Sequence, residues 1–140
     1  MYKQVYLKKG KEESLLRFHP WIFSGAISHI DDGITEGETV RVITRSGDFI
    51  AVGHWQIGSI AVRVLSFKDI VIDDAFWRER LTSALTMRQS IGIADNPHNN
   101  TFRLVHGEGD NLPGLVIDCY GPTAGMQAHR VGMHLCRQQI

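Results

Sequence analysis

At 140 residues, with 43% apolar and 21% charged side chains, the chain is long enough for one ordinary domain or two small ones, each with a packed core. Its 15 basic and 15 acidic residues cancel, so no global field draws it to nucleic acid or a membrane, and any nucleic-acid role must rest on local patches. No apolar run reaches the length of a membrane span, the start MYKQVYLKKG lacks the apolar stretch of a secretory signal, and Cys119 and Cys136 are too few for a disulfide framework, so a soluble, cytoplasmic chain with reduced thiols is expected.

Lys3 to Lys8 alternates around Val5 and Leu7 and reads as a first strand. Lys8, Lys9 and Lys11 then form a small basic run. Ser14 to Phe18 has the pattern for one or two helical turns, and Pro20 stops it, because the residue before a proline avoids the α region. His19-Pro20-Trp21-Ile22-Phe23-Ser24-Gly25 places two aromatics and a proline between two turns. Asp31 to Glu38 is polar and acidic, as a surface loop would be.

From Glu38 to Phe67 the pattern is β throughout. Val40 and Val42 alternate with Arg41 and Ile43, a turn at Arg45-Ser46-Gly47-Asp48 leads into Phe49 to Gln56, and Ile60, Val62 and Val64 alternate with Ala61, Arg63 and Leu65. With the valines facing a core, Arg41, Arg45 and Arg63 are expected to point outward. His54-Trp55 should divide, one side chain in and one out. A strand, a short helix and several antiparallel strands within about 70 residues suggest a small closed or half-closed barrel.

Lys68 to Asp73 is a connector, and Asp73 or Asp74 can cap a helix running to about Ile91, with Gly92 placed to end it. Trp77, Leu81, Ala84, Leu85 and Ile91 lie at helical spacing, with Arg78, Glu79, Arg88 and Gln89 elsewhere on the cylinder. Asp95 to Asn100 is a loop. Two apolar runs, Phe102 to Val105 and Leu115 to Ile117, then flank a connection carrying Gly107, Glu108, Gly109, Asp110, Asn111, Pro113 and Gly114. Glycine lets backbone approach a ligand, and a carboxylate accepts hydrogen bonds from a partner or from nearby amides, so the string suits either a site or a self-capped hairpin. Thr123 to Ala128 offers another strand. Val131 to Ile140 begins a helix with no stop signal, which points to a longer protein. Cys119 and Cys136 read as small buried hydrophobes. His129 and His134 are five apart, on different helix faces, so no metal site is expected.

Two stretches together, LKKGKEESLLRFHPWIFSGAI (Leu7 to Ile27) and RLVHGEGDNLPGLVIDCYG (Arg103 to Gly121), resemble the bacterial class I SAM-dependent rRNA methyltransferases that make 5-methylcytosine in large-subunit rRNA. In that family a PUA domain comes first, then a small central α/β domain, then a Rossmann-type methyltransferase domain. The resemblance implies an α+β chain: a small PUA-like β-barrel over residues 1–70, followed over residues 71–140 by a partial α/β central domain of helix plus antiparallel strands, preceding a missing SAM-binding domain. No strand here is followed by a Gly-x-Gly-x-x-Gly turn, and the family's catalytic cysteine lies in the SAM domain, so the resemblance implies no catalytic residue, cofactor or metal in this chain, with SAM bound by the missing domain of the parent protein.

The implied function is RNA binding and substrate orientation, with rRNA as partner. Lys8, Lys9, Lys11 and Arg17 are the candidates for phosphate contacts, and Arg41 and Arg63 a second tier. His19, Trp21 and Phe23 are candidates for stacking on bases, or for plugging the barrel end, a role that suits Phe23 better. Arg103, Glu108 and Asp110 are candidates for a substrate cleft shared with the missing domain. The competing reading is a protein-interaction or homo-oligomerisation module without a membrane or metal partner, or a PUA-like module of another RNA-modification protein.

Overall fold

The computed structural model describes every residue from Met1 to Ile140, in two units, Met1–Val71 and Ile72–Ile140. The first unit contains β1 (Lys3–Leu7), α1 (Glu13–Leu16), β2 (Trp21–Phe23), β3 (Ile27–Ile30), β4 (Thr39–Ile43), β5 (Phe49–Trp55) and β6 (Ile60–Ser66). They form a six-stranded sheet in the order β2-β6-β5-β4-β1-β3. β2 and β3 sit at opposite ends of that order, yet only a 3₁₀ turn, Ser24–Ala26, separates them in the chain. Laid flat, five strand spacings would part the two edges by about 24 Å. A three-residue link reaches only about 10 Å. The sheet therefore curls into a half-barrel, as the strand pattern led us to expect.

Val5 and Leu7 of β1, Val40 and Val42 of β4, Ile22 of β2 and Val62 and Val64 of β6 fill its interior, joined by Leu15 from α1. In β5 and β6 both parities are buried, so strict alternation does not describe them. Arg63, expected outside, is only 7% exposed and donates to Gln56 Oε1 at 2.7 Å. β6 is buried at both parities, and the Gln56 bond gives the guanidinium a polar partner inside. His54 is buried and Trp55 half-buried against the core. A bulge falls between Val52 and Gly53, where the chain passes so close to the Arg63 carbonyl that a Cβ on Gly53 would overlap it.

The second unit contains α2 (Asp74–Ser90), β7 (Thr101–His106), β8 (Leu115–Tyr120), β9 (Thr123–Ala128) and α3 (Val131–Leu135). β7, β8 and β9 form an antiparallel sheet in sequence order. Asp73 caps α2, its Oδ1 accepting from the Phe76 amide at 3.0 Å. Gly92, at φ 74°, closes the other end. The buried stripe of α2 is Phe76, Trp77, Ala84 and Arg88, whereas Leu85 and Ile91 are exposed. Arg88 was expected on the outer face. It lies inside because its charge meets a carboxylate there, described below. α3 stops at Leu135 rather than continuing to Ile140. Cys119 and Cys136 are half-buried, not sealed, and burial pushes the Cys136 thiol up.

Candidate nucleic-acid interface

Lys8, Lys9 and Lys11 occupy the turn between β1 and α1, with Gly10 supplying the left-handed residue at φ 79°. The Lys8 amide donates to Ala26 O at 2.8 Å and the Lys11 amide to Lys8 O at 3.1 Å. The backbone is pinned while all three ammonium groups face solvent. α1 turns Leu15 into the core, which leaves Arg17 exposed just beyond its end. None of these four cations is held in an ion pair. Free surface cations of this kind supply sequence-independent attraction to phosphates.

The chain then passes through His19 into β2. Ring centroids of His19 and Trp21 are 6.1 Å apart, those of His19 and Phe23 6.2 Å, and those of Trp21 and Phe23 6.5 Å. The Trp21 amide donates to His19 Nδ1 at 3.2 Å, which fixes the imidazole beside the indole. Ile22, pointing the other way, enters the core. Strand parity thus makes Ile22 the plug and leaves Phe23 49% exposed, the reverse of the role expected for Phe23. Phe18, which the sequence did not single out, is 72% exposed.

The second-tier arginines separate. Arg41 sits on Asp69, its Nε donating to Oδ1 at 3.0 Å and its Nη2 to Oδ2, with the guanidinium 5.0 Å above the Phe49 ring. Hydrogen bonding from Arg41 holds the Asp69 carboxyl below its ordinary range. Arg63 is buried and unavailable to a surface ligand. Arg45 is exposed in the β4–β5 turn.

In the second unit, a 3₁₀ turn, Gly107–Asp110, joins β7 to β8. Asp110 faces inward. Its Oδ2 accepts from Arg88 Nη2 at 2.8 Å and from the His106 amide at 2.6 Å, its Oδ1 accepts from Arg88 Nη1, and Arg88 Nε donates to Arg103 O at 3.0 Å. Asp110 therefore braces the loop and offers no carboxylate to a cleft, contrary to expectation. Arg103 lies opposite Asp118 in the β7–β8 register and donates to it from Nε at 2.8 Å and Nη2 at 3.1 Å. Glu108 is exposed and lines a groove of about 390 Å³ with His106, Gly107, His129 and Arg130. Sequence reasoning missed Arg88 and Arg130. A lone arginine in an amphipathic helix carries no signal of an acid twenty-two residues away.

The Gly107–Asp110 turn leads into an antiparallel strand rather than a helix, so this glycine-rich connection lacks the strand-to-helix setting of a glycine-rich cofactor loop. No group of three or more histidine, cysteine or acidic side chains is arranged to hold a metal ion, and no helix is long and apolar enough to cross a membrane.

Residues 5–67 match the family model of a PUA-like domain. The chain is similar to "Ribosomal RNA large subunit methyltransferase I" of Salmonella arizonae, 40% identical over 99% of this chain and 34% of the relative, and to the protein of the same name from Salmonella typhi, 41% identical with the same coverage. It spans about a third of the length of the curated relatives it matches. Among solved structures, a candidate SAM-dependent methyltransferase from Streptococcus mutans superposes with a TM-score of 0.81 at 16% identity, covering 98% of this chain and 35% of that one. A second candidate methyltransferase, solved in complex with SAH, gives 0.78 at 15% identity, covering 98% and 35%. At such identities these two establish a shared fold.

Proposed function

We propose that this chain is the RNA-binding, substrate-orienting part of a SAM-dependent rRNA cytosine-carbon-5 methyltransferase, and that it does not transfer methyl groups by itself. The observation that carries the reading is the exposed, unpaired cationic turn of Lys8, Lys9, Lys11 and Arg17 followed directly by the ring cluster of His19, Trp21 and Phe23, within the PUA-like residues. Cations attract the ribose-phosphate backbone, and rings accept unstacked bases, the usual combination for single-stranded RNA. SAM binding and methyl transfer are assigned to the portion of the relatives that this chain does not span. In the second unit, Glu108 and the groove beside it are the remaining candidates for orienting substrate, with Arg88, Asp110 and Arg103 holding that hairpin in shape.

The test is fluorescence anisotropy of single-stranded rRNA segments at several salt concentrations. Micromolar binding is expected, with log affinity falling as log salt rises. Replacing Lys8, Lys9 and Arg17 together by alanine should weaken binding and reduce the slope by about 0.7 per lost phosphate contact. Binding indifferent to both salt and those substitutions overturns the reading. The exposed outer strand β9 favours the second reading, an oligomerisation module, because an uncovered strand edge can pair with another chain. Light scattering that returns a clean monomer removes it.

A further inference from the structure

We propose that Phe18 is a base-stacking residue, placed to receive an unpaired nucleobase whose phosphate meets Arg17. The inference rests on the RNA-binding reading of the first unit and names a residue and a ligand class within it.

α1 ends in a two-bond closure: the His19 amide donates to Ser14 O at 3.1 Å and the Phe18 amide to Leu15 O at 2.9 Å. This places Phe18 in the left-handed region at φ 63°. α2 ends in the same way, with the Ile93 amide on Arg88 O at 2.9 Å and the Gly92 amide on Gln89 O at 3.0 Å. There the left-handed residue is glycine, at φ 74°. The closure favours glycine because a Cβ at positive φ crowds the backbone, and asparagine is the usual second choice. A bulky ring is a poor fit to that slot.

Core packing does not explain the ring, which is 72% exposed. Its recorded ring contact is an edge-to-face meeting with Phe67 at 5.2 Å and 81°, which occupies at most one of its faces. Strained backbone that displays a side chain to solvent tends to mark a functional position. Two features select a nucleobase as the occupant. Arg17, exposed and unpaired, immediately precedes the ring and suits an anion. His19, Trp21 and Phe23 follow within five residues and supply further rings, and aromatic rings stack on bases of any sequence.

The experiment uses the whole chain with a single-stranded RNA of about 12 nucleotides carrying a central 2-aminopurine, and the same RNA as a duplex. The variants are Phe18→Asn and Phe18→Trp. The parent chain should quench the 2-aminopurine of the single strand and prefer it to the duplex. Phe18→Asn should bind about 10-fold more weakly, lose the quench, and keep the salt slope. Its Tm should rise by about 3 °C, since asparagine suits the left-handed slot. Phe18→Trp should restore the quench. Parent-like binding by Phe18→Asn with a lowered Tm overturns the inference in favour of packing on Phe67. Unchanged RNA binding with altered self-association by light scattering overturns it in favour of a protein contact. In both cases salt-sensitive binding by the parent leaves the wider RNA reading intact, whereas a parent that binds neither RNA removes both.

Discussion

Arg88 near the end of α2 and Asp110 in the glycine-rich turn form a guanidinium–carboxylate pair whose side chains are only 9% and 5% exposed. Arg88 also donates to the Arg103 carbonyl, and Asp110 also accepts from the His106 amide. One ion pair thus ties the helix to β7 and to the turn that follows it. Removing either partner leaves the other charge buried, so Arg88→Ala or Asp110→Ala should each destabilise the second unit by about 3–5 kcal/mol. The paired change Arg88→Met with Asp110→Leu should recover much of that loss, because well-packed apolar groups of similar volume avoid the desolvation penalty. Urea unfolding of the three variants measures both effects.

The same carboxyl gives an acid limb to stability. Burial by itself raises the Asp110 pKa, but hydrogen bonds from Arg88 and the His106 amide outweigh it, and the net value lies below the ordinary 3.8. A carboxyl depressed in the fold contributes stability above its unfolded pKa and loses it as pH falls through the folded value. The wild-type Tm should therefore drop below about pH 4. Asp110→Asn should show a shallower drop in that window.

His54 titrates in a different window. Burial lowers its pKa from 6.5 to about 4, so the fold holds it neutral. Between those values the unfolded chain binds a proton that the fold refuses, and stability falls as pH falls from 6.5 toward 4. The full loss is about 3 kcal/mol. His54→Gln should flatten the Tm-against-pH curve over this range while leaving the limb below it in place.

Gly53 has no room for a side chain, because its would-be Cβ overlaps the Arg63 carbonyl. Backbone on the adjacent strand cannot step aside as a flexible side chain can. Gly53→Ala should destabilise the first unit by about 2 kcal/mol. Gly25→Ala is the control: nothing lies within 4 Å of its added methyl, and its unfolding midpoint should stay near the wild-type value.

Arg41 and the front lysines should behave differently in RNA binding. Arg41 is committed to Asp69 at the surface, so Arg41→Ala should lower stability by less than about 1 kcal/mol and change RNA affinity about two-fold or less. The Lys8, Lys9 and Lys11 triple substitution should do the opposite, leaving Tm near wild type and weakening binding. Anisotropy and thermal melts on the same samples distinguish the two.

The sequence by itself determined what local chemistry governs. The alternation of Val5 with Leu7 and Val40 with Val42, the Asp73 cap, the Gly92 stop and the glycine-rich connection after His106 each follow from residues close in the chain, and each lies where the pattern put it. The basic turn at Lys8 was legible for the same reason: three lysines around a glycine between a strand and a helix must face water. Only the tertiary structure decided which charges are spent on the protein itself. Arg63 is held inside by its bond to Gln56 and Asp110 is turned inward by Arg88, whereas Arg103 stays exposed but is spent on Asp118, the last two pairings reaching across fifteen residues or more. Phe18 required it too, because the cost of its left-handed backbone and the exposure of its ring depend on how α1 closes onto β2. A charge or a ring carries the same letter in the sequence whether it meets solvent or a partner, and long-range geometry alone separates the two.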